Sequence, residues 1–133
     1  FYLFISVSHF LFFSLVREFL EFSLEQHKEL KDYCESLEIV YSCSVWDTTS
    51  AKEISSLNPQ FIKIPSACNN HYKMLAWLCD NYKGELHIST GMTTANEIEE
   101  IVSFFEEHKK RFAKYIIMTQ KSEIFTIGSI YTV

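Results

Sequence analysis

The stretch Phe61-Ile62-Lys63-Ile64-Pro65-Ser66-Ala67-Cys68-Asn69-Asn70 constrains this chain more than any other. Phe61, Ile62 and Ile64 have the character of a short strand buried on both faces. Lys63 sits among them, where an ammonium is costly unless an anion meets it. The alternative is a snorkelling side chain on an edge strand. Pro65 has no N–H to donate and ends the ladder. Ser66, Asn69 and Asn70 then place hydroxyl and amide groups in a loop, and Asn70 is positioned to cap a helix beginning near His71. In strand-then-helix proteins, functional groups gather at this end of the strand.

The same plan recurs along the chain. Ser23-Leu24-Glu25-Gln26 has the form of a capping box, and Leu30, Cys34 and Leu37 follow at helical spacing, which predicts an amphipathic helix. Residues 39–44 are β-rich and lead into Val45-Trp46-Asp47. Ser50-Ala51-Lys52-Glu53 reads as a second capping box, for a short helix carrying Ile54 and Leu57 that Asn58-Pro59 closes. Beyond the Lys63 strand, Met74, Leu75, Leu78 and Tyr82 share one helical face, and Gly84 suits the left-handed position after that helix. Glu85 to Ser89 reads as a third strand, turning at Thr90-Gly91-Met92. Thr94-Ala95-Asn96-Glu97 is a third capping box, for a helix striped by Ile98, Ile101, Val102 and Phe105. A fourth strand is predicted over 115–119.

Strands alternating with helices predict right-handed βαβ units and a parallel sheet, an α/β fold. No glycine-rich phosphate loop follows any strand, which removes support from a small nucleotide-binding sheet. Polar residues at three consecutive strand ends favour about three to four βα units of a (β/α)8 TIM barrel, whose full circuit takes about 250 residues. A chain of 133 residues is then a partial TIM barrel.

Composition narrows the function classes. A hydrophobic content of 47% supports a sizeable core. A net charge of -5 leaves no footprint for nucleic acid, and the cluster Lys109-Lys110-Arg111 reads as a helix terminus. Cys34, Cys43, Cys68 and Cys79 show no C-x-x-C pair and no zinc spacing, as expected of reduced thiols in a cytoplasmic protein. Residues 1–17 form an atypical apolar segment, short for a membrane span and without a basic leader, and the chain has no initiating Met. A fragment is the favoured reading, membrane association the disfavoured one. Residues 18–119 form the expected barrel domain, and residues 120–133 are an unplaced tail.

Several of these stretches carry a family resemblance. The helix from Ser23 through Cys34, then Ser44-Val45-Trp46-Asp47, Phe61 to Ser66, Cys68-Asn69-Asn70 and His87-Ile88-Ser89-Thr90-Gly91-Met92, in that order, resemble the sialic acid synthases (N-acetylneuraminate synthases). The Ser-Thr-Gly-Met signature is the most specific part. The resemblance implies an enzyme that condenses phosphoenolpyruvate with N-acetylmannosamine or a related amino sugar and releases phosphate. It also implies a divalent metal, Mn or Mg, in the full-length enzyme, with ligands outside this chain, and a homodimeric parent. Position by position, Lys63 and Ser66 match groups that hold phosphoenolpyruvate, Lys63 being the catalytic candidate. Ser89 matches a further ligand of it, and Ser44 stands where many members have threonine. Asn69 and Asn70 fall at the expected sugar pocket. Many members place a carboxylate in the loop after the Ser66 position, whereas Ser66-Ala67-Cys68 has none, which leaves the acceptor sugar open.

Two other readings stand beside this one. Lys63 as the Schiff-base lysine of a class I aldolase-type barrel would need a desolvated ammonium. A membrane-anchored interaction domain would be led by Phe1 to Val16. His27, His71, His87 and His108 are weak metal candidates, with His87, on a strand, expected to be packed or hydrogen-bonded.

Overall fold

The computed structural model describes residues 21–108 and 114–118. The apolar segment 1–17, the Lys109-Lys110-Arg111 cluster and the tail 120–133 lie outside the described residues. The elements run α1 (Leu24–Ser36), β1 (Ser42–Ser44), α2 (Thr48–Ser56), β2 (Phe61–Ile64), a 3-10 turn (Ser66–Cys68), α3 (Tyr72–Asn81), β3 (Glu85–Ser89), α4 (Ala95–His108) and β4 (Lys114–Met118). The strands pair in the order β1-β2-β3-β4, each parallel to the next. Sequential order without reversal is the winding of a (β/α)8 barrel, whereas doubly wound sheets reverse direction at a switch point. The expected partial barrel is therefore the observed fold.

The alternation along β2 explains the layering. Ile62 and Ile64 are fully buried, and the register puts Leu86, Ile88, Tyr115 and Ile117 on the same face. Ala51 and Ile54 of α2, Met74, Leu75, Leu78 and Cys79 of α3, and Ile101 and Phe105 of α4 complete that core. On the opposite face Phe61, Glu85, His87 and Ser89 are half-buried and Lys63 is exposed. The expectation that β2 is buried on both faces is thus corrected. Among the described residues only the helix-covered face is closed, and Lys63 lies on the open one without the desolvation the sequence suggested.

Local capping accounts for most helix boundaries. Ser23 and Gln26 form the expected reciprocal box (Gln26 N–H to Ser23 Oγ 3.3 Å, Ser23 N–H to Gln26 Oε1 2.8 Å). The box predicted at Ser50 is displaced: α2 starts at Thr48, Asp47 is the cap, and Ser50 is its N3 partner, with Ser50 N–H to Asp47 Oδ1 at 2.8 Å. Asp47 wins because its carboxylate accepts more strongly than a hydroxyl. Asn70 does not cap α3, which begins at Tyr72 behind His71 with no side-chain cap bond. The first strand is shorter than predicted because Glu38 turns left-handed (φ 57°) and the Ile39 N–H returns to Cys34 O at 2.9 Å, closing α1 instead of joining the ladder.

Gly84 also serves a purpose other than the predicted one. Helix α3 ends at Tyr82 in extended backbone, and Gly84 lies against the Tyr82 ring, where a Cβ would collide with the hydroxyl and come within 2.8 Å of Gln60 O. The buried Tyr82 hydroxyl donates to Pro59 O at 2.6 Å, and burial pushes its pKa up to about 12.

Opposite faces of β2 should respond differently to truncation. Ile62→Ala should cost about 2–5 kcal/mol, the range for emptying a packed aliphatic site. Lys63→Met should stay within about 0.5 kcal/mol, as an exposed position. Urea unfolding of both variants checks the contrast; equal losses would mean that the faces are assigned wrongly.

Candidate functional site

The open sheet face carries its polar groups in rows. Register aligns Ser44, Lys63 and His87 across β1, β2 and β3, with Ser42, Phe61 and Glu85 one row below. Side chains two residues apart share a face, so Ser89 stands one row above His87 at the strand end. Lys63 makes no hydrogen bond or ion pair among the described residues. His87 is both packed and hydrogen-bonded: its ring stacks on Phe61 at 4.1 Å between centroids, and its Nε2 lies 3.2 Å from Glu85 Oε2. Ser42 is already engaged, donating to Phe61 O at 2.9 Å.

The loop after β2 ties its neighbours together at this end of the sheet. Cys68 Sγ donates to Trp46 O at 3.2 Å, reaching the loop after β1. Burial, then the Asp47 carboxylate, pushes the Cys68 thiol up, which keeps it protonated as a donor. On the other side Asn69 Nδ2 donates to Ser89 O at 3.0 Å and to Thr93 Oγ1 at 2.8 Å, reaching the loop after β3. Asn69 is 3% exposed, so these bonds form in a largely dry setting.

A cleft of 160 Å³ opens beside this tie, lined among others by Ser66, Ala67, Asn69, Asn70, Thr93 and Glu97. The structure thus brings Ser66, Asn69 and Asn70 into one concavity. Ser44 instead lines a separate cleft of 520 Å³ with His27, Trp46 and Asp47, and Lys63 lines neither. Ser89 contributes its carbonyl to the tie. Glu97 is the residue that sequence reasoning left out of the site. Its capping-box signature carried the information, because the N3 residue of a helix following a barrel strand stands at the strand-end face.

Histidines are dispersed. His27 Nδ1 meets Tyr41 Oη at 2.7 Å, and His108 Nδ1 meets Phe104 O at 2.8 Å. No group of three or more His, Cys, Asp or Glu able to hold a metal occurs among the described residues.

A singly wound parallel sheet with a cation, hydroxyls and amides at its carboxyl end defines a sector of a (β/α)8 barrel. The chain belongs to the NeuB family, the sialic acid synthases, whose profile matches residues 13–123. It is 37% identical over 94 residues to N-acetylneuraminate-9-phosphate synthase of Drosophila melanogaster, a match covering 71% of this chain and 25% of that protein. The chain therefore spans about a quarter of the curated relative. A solved structure from Chromobacterium violaceum, assigned as spore coat polysaccharide biosynthesis protein E, superposes with a TM-score of 0.64 at 21% identity, over 74% of this chain and 28% of that one. That likeness supports the fold.

Two predictions follow from the tie and the cleft. Asn69→Ala should lower stability by about 1–3 kcal/mol, because it leaves dry acceptors without a donor, while exposed Asn70→Ala should stay within about 0.5 kcal/mol. Denaturant midpoints measure both. Thr94 holds the Glu97 carboxyl below its ordinary 4.5, first through its backbone N–H and then through its hydroxyl. A lowered carboxyl contributes stability that is present above the ordinary value and lost as pH falls through the lowered one. Carboxyl NMR titration should show Glu97 below 4.5, rising in Thr94→Ala; an unchanged titration would remove the hydroxyl's part.

Proposed function

We propose that this chain forms part of the catalytic barrel of a sialic acid synthase-like enzyme, a transferase of carbohydrate biosynthesis. The reaction condenses phosphoenolpyruvate with N-acetylmannosamine or a related amino sugar to form a nonulosonic acid and release phosphate. The observation that carries this reading is the place of Lys63, an exposed ammonium near the carboxyl end of β2, level with Ser44 and close to Ser66 and Ser89. A multiply charged small anion needs a fixed cation and several directional donors. Lys63 acts as the point charge, with Ser66 and Ser89 as hydroxyl donors and Ser44 as an outer one. Asn69 and Asn70 face the acceptor.

The divalent metal of the whole enzyme, Mn or Mg, takes its ligands from parts of that enzyme outside this chain; among the described residues no group of three or more His, Cys, Asp or Glu could hold one. A cytoplasmic homodimer is the working form of the parent. Among the described residues no helix is long and apolar enough to cross a membrane. In this segment Lys63 is exposed, so the desolvation that a Schiff-base lysine requires would have to come from the strands that close the barrel.

The test is phosphoenolpyruvate titration of the complete synthase and three variants. Lys63→Met should weaken binding by about 2–5 kcal/mol, the range for losing one partner of a charge pair that the closed barrel of the complete enzyme buries. Ser66→Ala and Ser89→Ala should each cost about 1–3 kcal/mol, as single hydrogen bonds to a charged group. Unchanged affinity in Lys63→Met would make the lysine irrelevant to the anion. Borohydride trapping with a keto acid should give no adduct; an adduct at Lys63 would favour the aldolase chemistry.

A further inference from the structure

The 160 Å³ cleft at the ends of β2 and β3 has a chemistry of its own. It is far larger than the roughly 10–15 Å³ that a single water needs. It is smaller than the roughly 300–1,000 Å³ of a complete small-molecule site. A substituent of a ligand fits it, not a whole substrate pair.

Two of its lining residues, Asn69 and Glu97, have a fixed hydrogen-bonding sense, beside the Ser66 hydroxyl and the Asn70 amide, which can donate or accept. Asn69 commits both Nδ2 hydrogens, one to Ser89 O and one to Thr93 Oγ1, so the amide cannot turn without setting its oxygen against the Ser89 carbonyl. Its Oδ1 accepts no hydrogen bond among the described residues, although the side chain is 97% removed from solvent, being only 3% exposed. Nor is Oδ1 sealed inside the protein: among the described residues the one fully buried side-chain oxygen or nitrogen without a partner is Ser55 Oγ. The second acceptor is Glu97. The Thr94 N–H (2.8 Å) and hydroxyl (2.7 Å) both go to Oε2, and Oε1 takes no hydrogen bond among the described residues. The same two bonds hold this carboxyl below its ordinary 4.5; as an exposed side chain it is ionised at neutral pH with or without them.

We propose that this cleft receives a neutral arm of the acceptor sugar through its hydroxyl or amide N–H donors, and that Glu97 is a specificity-determining residue that selects for such donors. This rests on the synthase reading above and adds to it a division of labour. Lys63, on the open sheet face, draws the anionic substrate and Ser66, at the lining of the cleft, donates to it; Asn69 Oδ1 and the exposed Glu97 carboxylate supply acceptors for the donor-rich substrate. Ala67 leaves room there without adding a group that competes for the donors.

The test measures N-acetylmannosamine and phosphoenolpyruvate binding separately, by calorimetry, on the complete synthase and on Glu97→Gln and Thr94→Ala. Glutamine keeps an acceptor for the helix cap and removes the charge. N-acetylmannosamine should bind at least about fivefold more weakly to Glu97→Gln, with phosphoenolpyruvate affinity changed less than about twofold. Thr94→Ala weakens the cap but keeps the carboxylate, and should leave sugar affinity within about twofold. Equal sugar binding by wild type and Glu97→Gln, with both substrates bound, would overturn the cleft assignment and leave the synthase reading standing. A loss of sugar binding in Thr94→Ala as large as in Glu97→Gln would also overturn it, since the effect would then belong to the cap. Failure of the unaltered protein to bind either substrate would defeat the synthase reading and this inference with it.

Discussion

The strict two-residue alternation of the parallel strands is the constraint on which the rest depends. Ile62 and Ile64 go under the helices because their burial drives the layer together; each is worth about 1.5–3 kcal/mol against exposure. Lys63 lies between them in sequence and must point the other way. A one-residue slip would bury the ammonium under α2 and α3 and expose two isoleucines, so the register is held by apolar burial on one face while the polar row forms on the other. The open face is thus a product of core packing.

Strand ends alone do not make a site; their loops must be held in fixed relation. Here the loop after β2 does this with two neutral donors, the Cys68 thiol to Trp46 O and the Asn69 amide to Ser89 O and Thr93. Both sit where water is largely excluded, and neither adds a charge there. Met92 shows the cost of the turn beyond β3, a non-glycine residue at φ 60° that is 98% exposed. Strain of this kind persists where the flanking structure imposes it, and the Asn69 tie to Ser89 and Thr93 spans that turn.

Elements governed by local chemistry were legible in the sequence. The Ser23 and Thr94 boxes, the stripe of Met74, Leu75 and Leu78, and the parallel alternation of strands and helices all follow from residues within a turn or two of each other. Failures occurred where two local solutions competed or where distance mattered. Asp47 displaced Ser50 as a cap, and the left-handed Glu38 took Ile39 from the strand. Gly84 proved necessary for the approach of Tyr82, a contact made by the side chain of a residue two positions back and by Gln60 across the chain. The candidate site was legible only as motifs that put Lys63, Ser66, Ser89 and the two asparagines at one end of the sheet. Their partition was not, since whether Asn69 faces a ligand or a neighbouring loop depends on which of its amide atoms the fold consumes. Glu97 was hidden for the same reason, because a capping residue read along the chain looks complete in itself.

On the proposed synthase reading, the carboxyl end of this sheet recognises the anion and its amino end is scaffold. Backbone amide shift perturbation on adding phosphoenolpyruvate to the isotope-labelled protein tests this most directly. Changes should concentrate at Ser44, Lys63, Ser66 and Ser89, with Ser42, Phe61 and Glu85 at the other end left in place. Perturbations centred on Ser42, Phe61 and Glu85, or on the outer helix surfaces, would contradict it.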